Sequence, residues 1–558
     1  MPREKILNLI QSYIKNLDLE PGEFVLEHPT EMTFGDYTTN AALVYAKKLN
    51  ENSKLFAEKI KKYIEENLPD EVEKIEIAGP GFINFYLTKE FFKKSLGEII
   101  EEGNKYGKNR NLAGQKIMVE YTDPNILKPF HIGHLMSNAI GESVSRIMEW
   151  NGAEVIRVNY YSDSGLNIAK AVWGMKESLK KMPEENASAI EKAKFLGESY
   201  AYGVFKSGEN EEIEKEVREI NIKIFQRTDN EINKLYDIGK RWSLEHFNEL
   251  YEKLGSTFDL AIGESEVADE GKKIVLEFLE NGVFEKSDGA VVFHGEKYNS
   301  KLHTRVFINK ENLPTYESKE LGLTKRKFEK YDLDQSIVIT ANEQNDYFKV
   351  VLEAIKQIDK GYADKTKHLS HGLLRLTTGK MSSRTGNVIT AVELIDQVKS
   401  SIQAKGDIAQ GEIAIGAIKY MILRQSIGHD IIFDFDKSVS VEGDSGPYLQ
   451  YAFARTNSLL EKAERKGNVD GLRQNTHEIE KLLYRFPEVI VTSMNELAPN
   501  HILTYLTELS GSFNNFYAEE KIISDEPESE YRLAIVEAFN IVLKNGLDVL
   551  GIPAPERM

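Results

Sequence analysis

Apolar positions along the chain change their period several times, and each change marks an element. In IKKYIEENL (60–68) the apolar side chains recur three or four residues apart, the spacing of one helix face. KIEIAGPGFINFYLT (74–88) alternates instead, as half-buried strands do, and Gly79-Pro80-Gly81 breaks the run in two. TFGDYTTNAALVYAKKL (33–49) reads as a tight turn feeding a helix. Together these patterns predict a small α+β module over 1–100.

A second domain begins near residue 110. KIMVEYT (116–122) is apolar and β-branched, which suits a buried strand. After the loop DPNILKPFHI comes a helical pattern through Leu135, Ala139, Val144, Ile147 and Met148, ended by Asn151-Gly152. EVIRVNYY (154–161) is a second strand, and strand–loop–helix–strand implies a parallel sheet. The same order recurs in SIVITAN (336–342), NDYFKVVLEAIKQI (345–358) and KHLSHGLLRL (367–376). The stretch between, about 176–330, reads as an insertion, first charged and helical (197–226), then a hairpin around EKSDGAVVFHGEK. The expectation is one doubly wound, Rossmann-like α/β domain over 110–390, split by that insert, with its ligand beyond the carboxyl ends of the strands. From 391 to 558 strand patterns fade, and segments such as GEIAIGAIKYMILRQSI and RLAIVEAFNIVLKNGLDVLG predict an all-α domain.

Composition narrows the class. A chain of 558 residues suits several domains, since single cores rarely exceed roughly 250–300 residues. No apolar run approaches the roughly 18–20 residues that span a bilayer. MPREKILNLIQSYIKNL reads as an amphipathic helix, not a signal peptide, so a cytoplasmic protein is expected, with no membrane partner. The absence of cysteine excludes disulfides, iron–sulfur clusters and thiolate zinc sites. A net charge of −18 argues against binding nucleic acid over the whole surface, although basic runs such as KRKFEK (325–330) remain. Any one such run, taken alone, is most simply a solvated face.

Two loops carry candidate chemistry. His131-Ile132-Gly133-His134 follows a buried strand and opens a helix, where backbone N–H groups and imidazoles can donate to phosphate oxygens. Gly133 would leave room for a purine ring. No third ligand lies nearby in sequence, which weakens a metal reading. Lys380-Met381-Ser382-Ser383-Arg384-Thr385-Gly386 combines two cations, hydroxyls and a glycine, a set suited to a polyphosphate. It lacks the GxxxxGK[ST] pattern, and by itself a polar surface turn is an equal reading.

The pairing of these loops, at the ends of corresponding strands in two half-domains, resembles the HIGH and KMSKS motifs of class I aminoacyl-tRNA synthetases. PNILKPFHIGHL, AGPGFINFYL, FGDYTTNAAL, GES (263–265), SGPYLQYAFAR, NGLDVLGI and APERM resemble arginyl-tRNA synthetases, from about residue 30 to the last. The resemblance implies ATP-dependent attachment of L-arginine to tRNA(Arg) through an arginyl-adenylate. It implies an N-terminal tRNA-contacting module, a helical anticodon-binding domain and a monomer. Mg²⁺ would accompany ATP, with no dedicated protein metal site. By similarity, Asn125 would hold the amino group of arginine, His131 would lie near its carboxylate and ATP, and Gly133 and His134 would support adenosine and the α-phosphate. Lys380, Ser382 and Ser383 would face the phosphates. Glu264 matches the carboxylate for the guanidinium, Tyr316 and Glu320 take the place of a Tyr-x-x-x-Asp pair, and Gln344 matches a glutamine of the amino-acid and ATP site.

Several positions depart from the family. Ser383 stands where KMSKS has its second lysine, leaving Lys128 and Arg384 as candidates to supply the charge. Asn167 replaces a usual glutamine, Met136 replaces a common basic residue, and the role of Asp163 stays open. The rival readings are a synthetase for lysine, glutamate or cysteine, a small-molecule nucleotidyltransferase, and an inactive tRNA-binding paralogue. Two acidic pocket candidates make lysine the nearest competitor to arginine.

Overall fold

The computed structural model describes residues 2–376, 389–402, 407–473 and 475–558, with the backbone alone for Asp407 and Ile408. The chain forms two compact units: Met1–Tyr106 with Ser458–Phe486 and Leu509–Val542, and Gly107–Asn457 with Pro487–Glu508 and Leu543–Met558. The stretch read from sequence as one helical domain therefore contributes to both.

In the first unit a four-stranded antiparallel sheet runs in the order Leu26–Glu27, Tyr37–Thr39, Phe82–Leu87, Val72–Ala78. Helices Pro2–Lys15 and Ser53–Glu65 bury Ile6, Ile10, Ile14, Phe56, Ile60 and Ile64 in its core. Gly79 and Gly81 turn the last hairpin at φ values of 54° and 130°, which glycine adopts without strain. The three-residue strand Tyr37–Thr39 replaces part of the expected turn before helix Ala41–Leu49.

The second unit is built on five parallel strands: β1 (Lys116–Glu120), β2 (Glu154–Tyr161), β3 (Leu260–Gly263), β4 (Gln335–Ala341) and β5 (Thr366–His371). Their order is β5-β4-β1-β2-β3, so the two half-domains meet between β1 and β4. A crevice opens at such a switch point, beyond the carboxyl ends of the strands. Ile117, Met118 and Val119 are buried on both faces of β1, as a covered parallel sheet requires. Five helices matter for the site: α1 (Ile132–Trp150), α2 (Asn230–Leu254), α3 (Glu264–Glu280), α4 (Tyr316–Tyr331) and α5 (Asn345–Ile358).

Two expectations change. β3 lies inside the stretch 176–330 read as an insertion, yet it pairs with β2 in the central sheet. Ile431–Phe433, in the region read as wholly helical, forms a short strand parallel to Leu374–Leu376. Strands of three or four residues carry too few alternations to register as a period. The charged part of the insertion folds as Ala189–Glu209, Glu211–Gln226 and α2, with Ser188, Asn210 and Asp229 as side-chain caps. Two glycines let the first of these helices cross Leu166–Glu177 closely. A Cβ on Gly174 would lie 2.0 Å from the Ser199 carbonyl oxygen, and one on Gly203 would lie 2.0 Å from that of Lys170. The expected hairpin is present in a three-stranded sheet of Glu285–Ser287, Ala290–His294 and Thr304–Ile308. Its Asp288-Gly289 turn has positive φ at both positions, as a two-residue hairpin loop demands.

Candidate active site

The loop after β1 is strained. Thr122, Asp123 and Leu127 have φ values of 81°, 45° and 56°, conformations that non-glycine residues hold only when their surroundings enforce them. Thr122 N donates to Ser137 Oγ (3.0 Å), Asn138 Nδ2 donates to Thr122 Oγ1 (3.1 Å), and Leu127 N donates to Ser243 Oγ (2.8 Å). Tyr160 N donates to Asp123 Oδ1 (2.9 Å). Asn125 is thereby set opposite Ser162, just past the end of β2.

His131 caps α1. Its Nδ1 accepts from the backbone N–H of Gly133 (3.1 Å) and His134 (3.4 Å), while His134 Nδ1 accepts from His131 N (3.3 Å). The two rings stack with centroids 3.6 Å apart. Because each Nδ1 accepts, each neutral ring carries its proton on Nε2, which becomes its donor. Burial, then the charge of Lys128, depresses His131 to about 4. Burial and the neighbouring His131 hold His134 well below the ordinary imidazole range. Both rings are therefore neutral near pH 7. This corrects the reading of the motif from sequence: the N–H groups at the helix start are already taken by His131. A Cβ on Gly133 would lie 2.9 Å from His131 Cε1, so this glycine makes room first for the capping ring.

A cleft of about 780 Å³ opens here, and its walls bring together Asn125, His131, Gly133, His134, Glu264, Tyr316, Glu320 and Gln344. Lys128 is not among its walls. Its Nζ lies 4.7 Å from the centroid of the Tyr200 ring, and burial, then the charge of Lys170, lowers it to about 8. Met136 is buried. Lys380, Ser382, Ser383 and Arg384 lie outside the described residues.

One end of the cleft is acidic. Glu264 is the first residue of α3 and is buried. The first turn of α3 is braced by Asp163, which has no exposure. Ser265 donates to Asp163 through its backbone N (2.8 Å) and its Oγ (2.7 Å), and α2 adds Lys240 Nζ (2.8 Å) and Tyr236 OH (3.3 Å). Glu264 Oε2 itself accepts from Lys319 Nζ (2.7 Å) and Ser164 Oγ (3.2 Å). Burial and the Glu264 charge raise the Tyr316 phenol to about 12. Glu120, at the end of β1, pairs with Lys327 of α4, both 2% exposed. Burial and the nearby Glu120 raise Glu320 to about 8, and they raise Asp123 well above the carboxylate range. Arg305 donates to Glu317 (3.0 Å). Five carboxyl groups, Glu120, Asp123, Glu264, Glu317 and Glu320, thus accompany three cations, Lys319, Lys327 and Arg305; Asp123 and Glu320, held protonated by burial and by Glu120, are the two that an arriving cation can ionise.

Comparison with known proteins shows the family. The model for "tRNA synthetases class I (R), catalytic domain" matches residues 95–435. The arginyl tRNA synthetase N terminal domain matches 4–87, and the DALR anticodon binding domain matches 449–558. The chain belongs to the arginyl-tRNA synthetase family. An arginine–tRNA ligase of Clostridium botulinum is 31% identical over 576 residues, with 99% of each chain covered. That of Treponema denticola is 32% identical and covers 86% of this chain and 85% of its own. Among solved structures, arginyl-tRNA synthetase of Thermus thermophilus superposes with a TM-score of 0.84 at 22% identity, covering all of both chains. That of Plasmodium falciparum gives 0.80 at 21% identity, covering 100% of this chain and 99% of its own, so the fold is shared. The enzyme attaches arginine to tRNA for translation, with ATP as a substrate. Among the described residues no helix is long and apolar enough to cross a membrane.

The sequence reading passed over Glu120 and Asp123, which line this synthetase's cleft, and over Ser164, Lys319 and Lys327, which bond to its carboxylates from behind. One pattern could have exposed some of them. Glu320 and Lys327 lie seven residues apart on one face of a polar helix, and Glu120 is a charge ending an otherwise apolar strand.

Proposed function

We propose that Glu264 and Glu320 read the guanidinium of arginine, with Tyr316 against it, while Asn125 holds the amino group and Gln344 lies between amino acid and ATP. The support is the excess of buried carboxylates at one end of a cleft whose other end carries two neutral, Nε2-protonated imidazoles. An oxygen of the arginine carboxylate attacks the α-phosphorus of ATP, the bond to the bridging oxygen breaks, and pyrophosphate leaves. The 2′-hydroxyl of the terminal ribose of tRNA then attacks the carbonyl carbon, loses its proton, and AMP departs. Neither step needs a protein nucleophile, so positioning and charge stabilisation supply the rate. His131 and His134 donate to the phosphate region, where Gly133 lies close. Lys380, Ser382 and Ser383 face the departing pyrophosphate, with Lys128 or Arg384 offsetting the missing second lysine. Mg²⁺ enters with ATP and neutralises its phosphates. The enzyme works as a monomer in the cytoplasm, and activation of arginine requires bound tRNA. Pyrophosphate exchange measured with each amino acid, with and without tRNA, tests this: exchange with arginine, dependent on tRNA, is expected. Exchange with lysine but not arginine would refute the pocket assignment, and equal exchange without tRNA would remove the tRNA requirement.

A further inference from the structure

The carboxylate assigned to the guanidinium already has a cation on it. Lys319 Nζ lies 2.7 Å from Glu264 Oε2 and 2.8 Å from Ser164 Oγ, with Lys319 3% and Glu264 4% exposed. The ammonium also lies 4.8 Å from the centroid of the Tyr316 ring and 5.8 Å from that of Phe225. We propose that Lys319 is a specificity-determining residue, a resident ammonium that turns lysine-like amino acids away from Glu264 while leaving the carboxylate usable by a planar guanidinium. The inference rests on the reading that Glu264 meets the arginine side chain.

Discrimination follows from the geometry of the two cations. Glu264 Oε2 takes two donors, from Lys319 and Ser164, so a substrate must approach through the remaining oxygen, Oε1. A substrate ammonium is a compact point charge, and on Glu264 it would sit a few ångströms from the Lys319 ammonium. Because Lys319 and Glu264 are themselves buried, that like-charge contact is stronger than it would be in solvent. A guanidinium spreads its charge over a plane and presents a fork of N–H groups, so it can reach Oε1 with one donor and Glu320 with another. Lys327 occupies Glu120 in the same way, whereas Glu320 faces the cleft with no cation bonded to it among the described residues. The pocket is thus partly neutralised in advance, and it selects by shape and by repulsion instead of by negative charge alone.

The test is Lys319→Met, which keeps the length and removes the charge. Arginine- and lysine-dependent pyrophosphate exchange are measured on the full chain with tRNA. The expected result is a fall of at least about tenfold in the arginine-to-lysine ratio of kcat/KM, with the lysine value rising in absolute terms. Lys319→Arg is expected to keep the ratio near that of the wild type. A structural role alone would lower both substrates together, and an unchanged ratio overturns the proposal. Lys319→Gln, which retains a donor for Glu264, serves where the methionine variant does not fold, with the same ratio as its readout. Glu264→Gln separates the premise from the inference. An unchanged arginine KM there refutes the pocket reading itself, and the proposal falls with it. A raised KM with an unmoved Lys319→Met ratio refutes the Lys319 proposal alone.

Discussion

The proposed contact of Glu320 with the guanidinium predicts that arginine binding depends on pH. Glu320 is 5% exposed and sits beside Glu120; burial first, and that neighbouring charge second, raise it from its ordinary 4.5 to about 8. Asp123, raised by burial and by the same neighbour, shares the site, so the titration belongs to these two together. A guanidinium prefers the ionised form, so binding expels a proton and affinity must rise with pH. At pH 7 roughly one tenth of the empty enzyme holds Glu320 ionised, and apparent affinity is reduced by that fraction. The KM for arginine should therefore fall about tenfold per pH unit from 6 to 7 and level off above about 8. The KM for ATP should not follow it. Neither histidine of the cleft interferes, since His131 titrates near 4 and His134 well below its ordinary value. Lys128, lowered to about 8, loses its proton in the same range, and its effect should be read in kcat, which falls as the pH passes 8. The assay is steady-state aminoacylation from pH 6 to 9 at saturating ATP and tRNA. Calorimetric titration in two buffers of different ionisation enthalpy counts the released proton. In Glu320→Gln the arginine KM should be high and flat. A flat profile in the wild type, or the same slope in Glu320→Gln, would refute the reasoning.

Three further outcomes follow from the packing. Asp163→Ala removes a fully buried acceptor from Lys240, Tyr236 and both donors of Ser265, and should cost about 3–5 kcal/mol in urea unfolding. Asp163→Asn, which can still accept from Ser265 N, should lose about half of that, and both variants should raise the arginine KM more than the ATP KM. Gly203→Ala drives a Cβ to 2.0 Å from the Lys170 carbonyl oxygen and should lower stability by about 1–3 kcal/mol; an unchanged urea midpoint would deny the close crossing. Lys419 is buried, donates to the carbonyl oxygens of Leu254 (2.7 Å) and Gly551 (2.6 Å), and is depressed by burial from 10.5 to about 7. Between those values the unfolded chain holds a proton that the folded one does not, so this contribution is full above about 10.5 and lost as the pH falls through about 7. The rise in thermal midpoint from pH 7 to 9.5 should be smaller in Lys419→Met than in the wild type.

How much of this was legible depends on the element. EVIRVNYY coincides with β2, Glu154–Tyr161, because its β-branched and aromatic residues read as a strand even though Glu154, Arg157 and Asn159 interrupt the apolar pattern. Tyr37–Thr39, β3 and Ile431–Phe433 are too short to show a period, so the extent of the insertion and of the helical region was misjudged. Eight of the residues singled out from the motifs do meet in one cleft. Their hydrogen-bonding roles were not visible, since the acceptor state of Nδ1 in His131 and His134 depends on backbone geometry at the helix start. α4 misleads hydropathy most: Glu317, Ser318, Lys319, Glu320, Thr324 and Lys327 are all buried, whereas a polar run ordinarily marks an exposed face. The partners of Lys319, Lys327 and Glu317 are Glu264, Glu120 and Arg305 on other elements, which no local pattern can supply.

The cap formed by His131 joins two demands that usually oppose each other. Residues kept for chemistry often weaken the fold, so their removal commonly stabilises a protein at the expense of activity. His131 spends one ring nitrogen on the first turn of α1 and keeps the other, Nε2, for the donor role proposed for it at the phosphates. Its loss therefore takes away a cap of about 0.5–2 kcal/mol together with the donor. Drift at this position has no compensating gain in stability, and the motif is guarded twice by a single side chain.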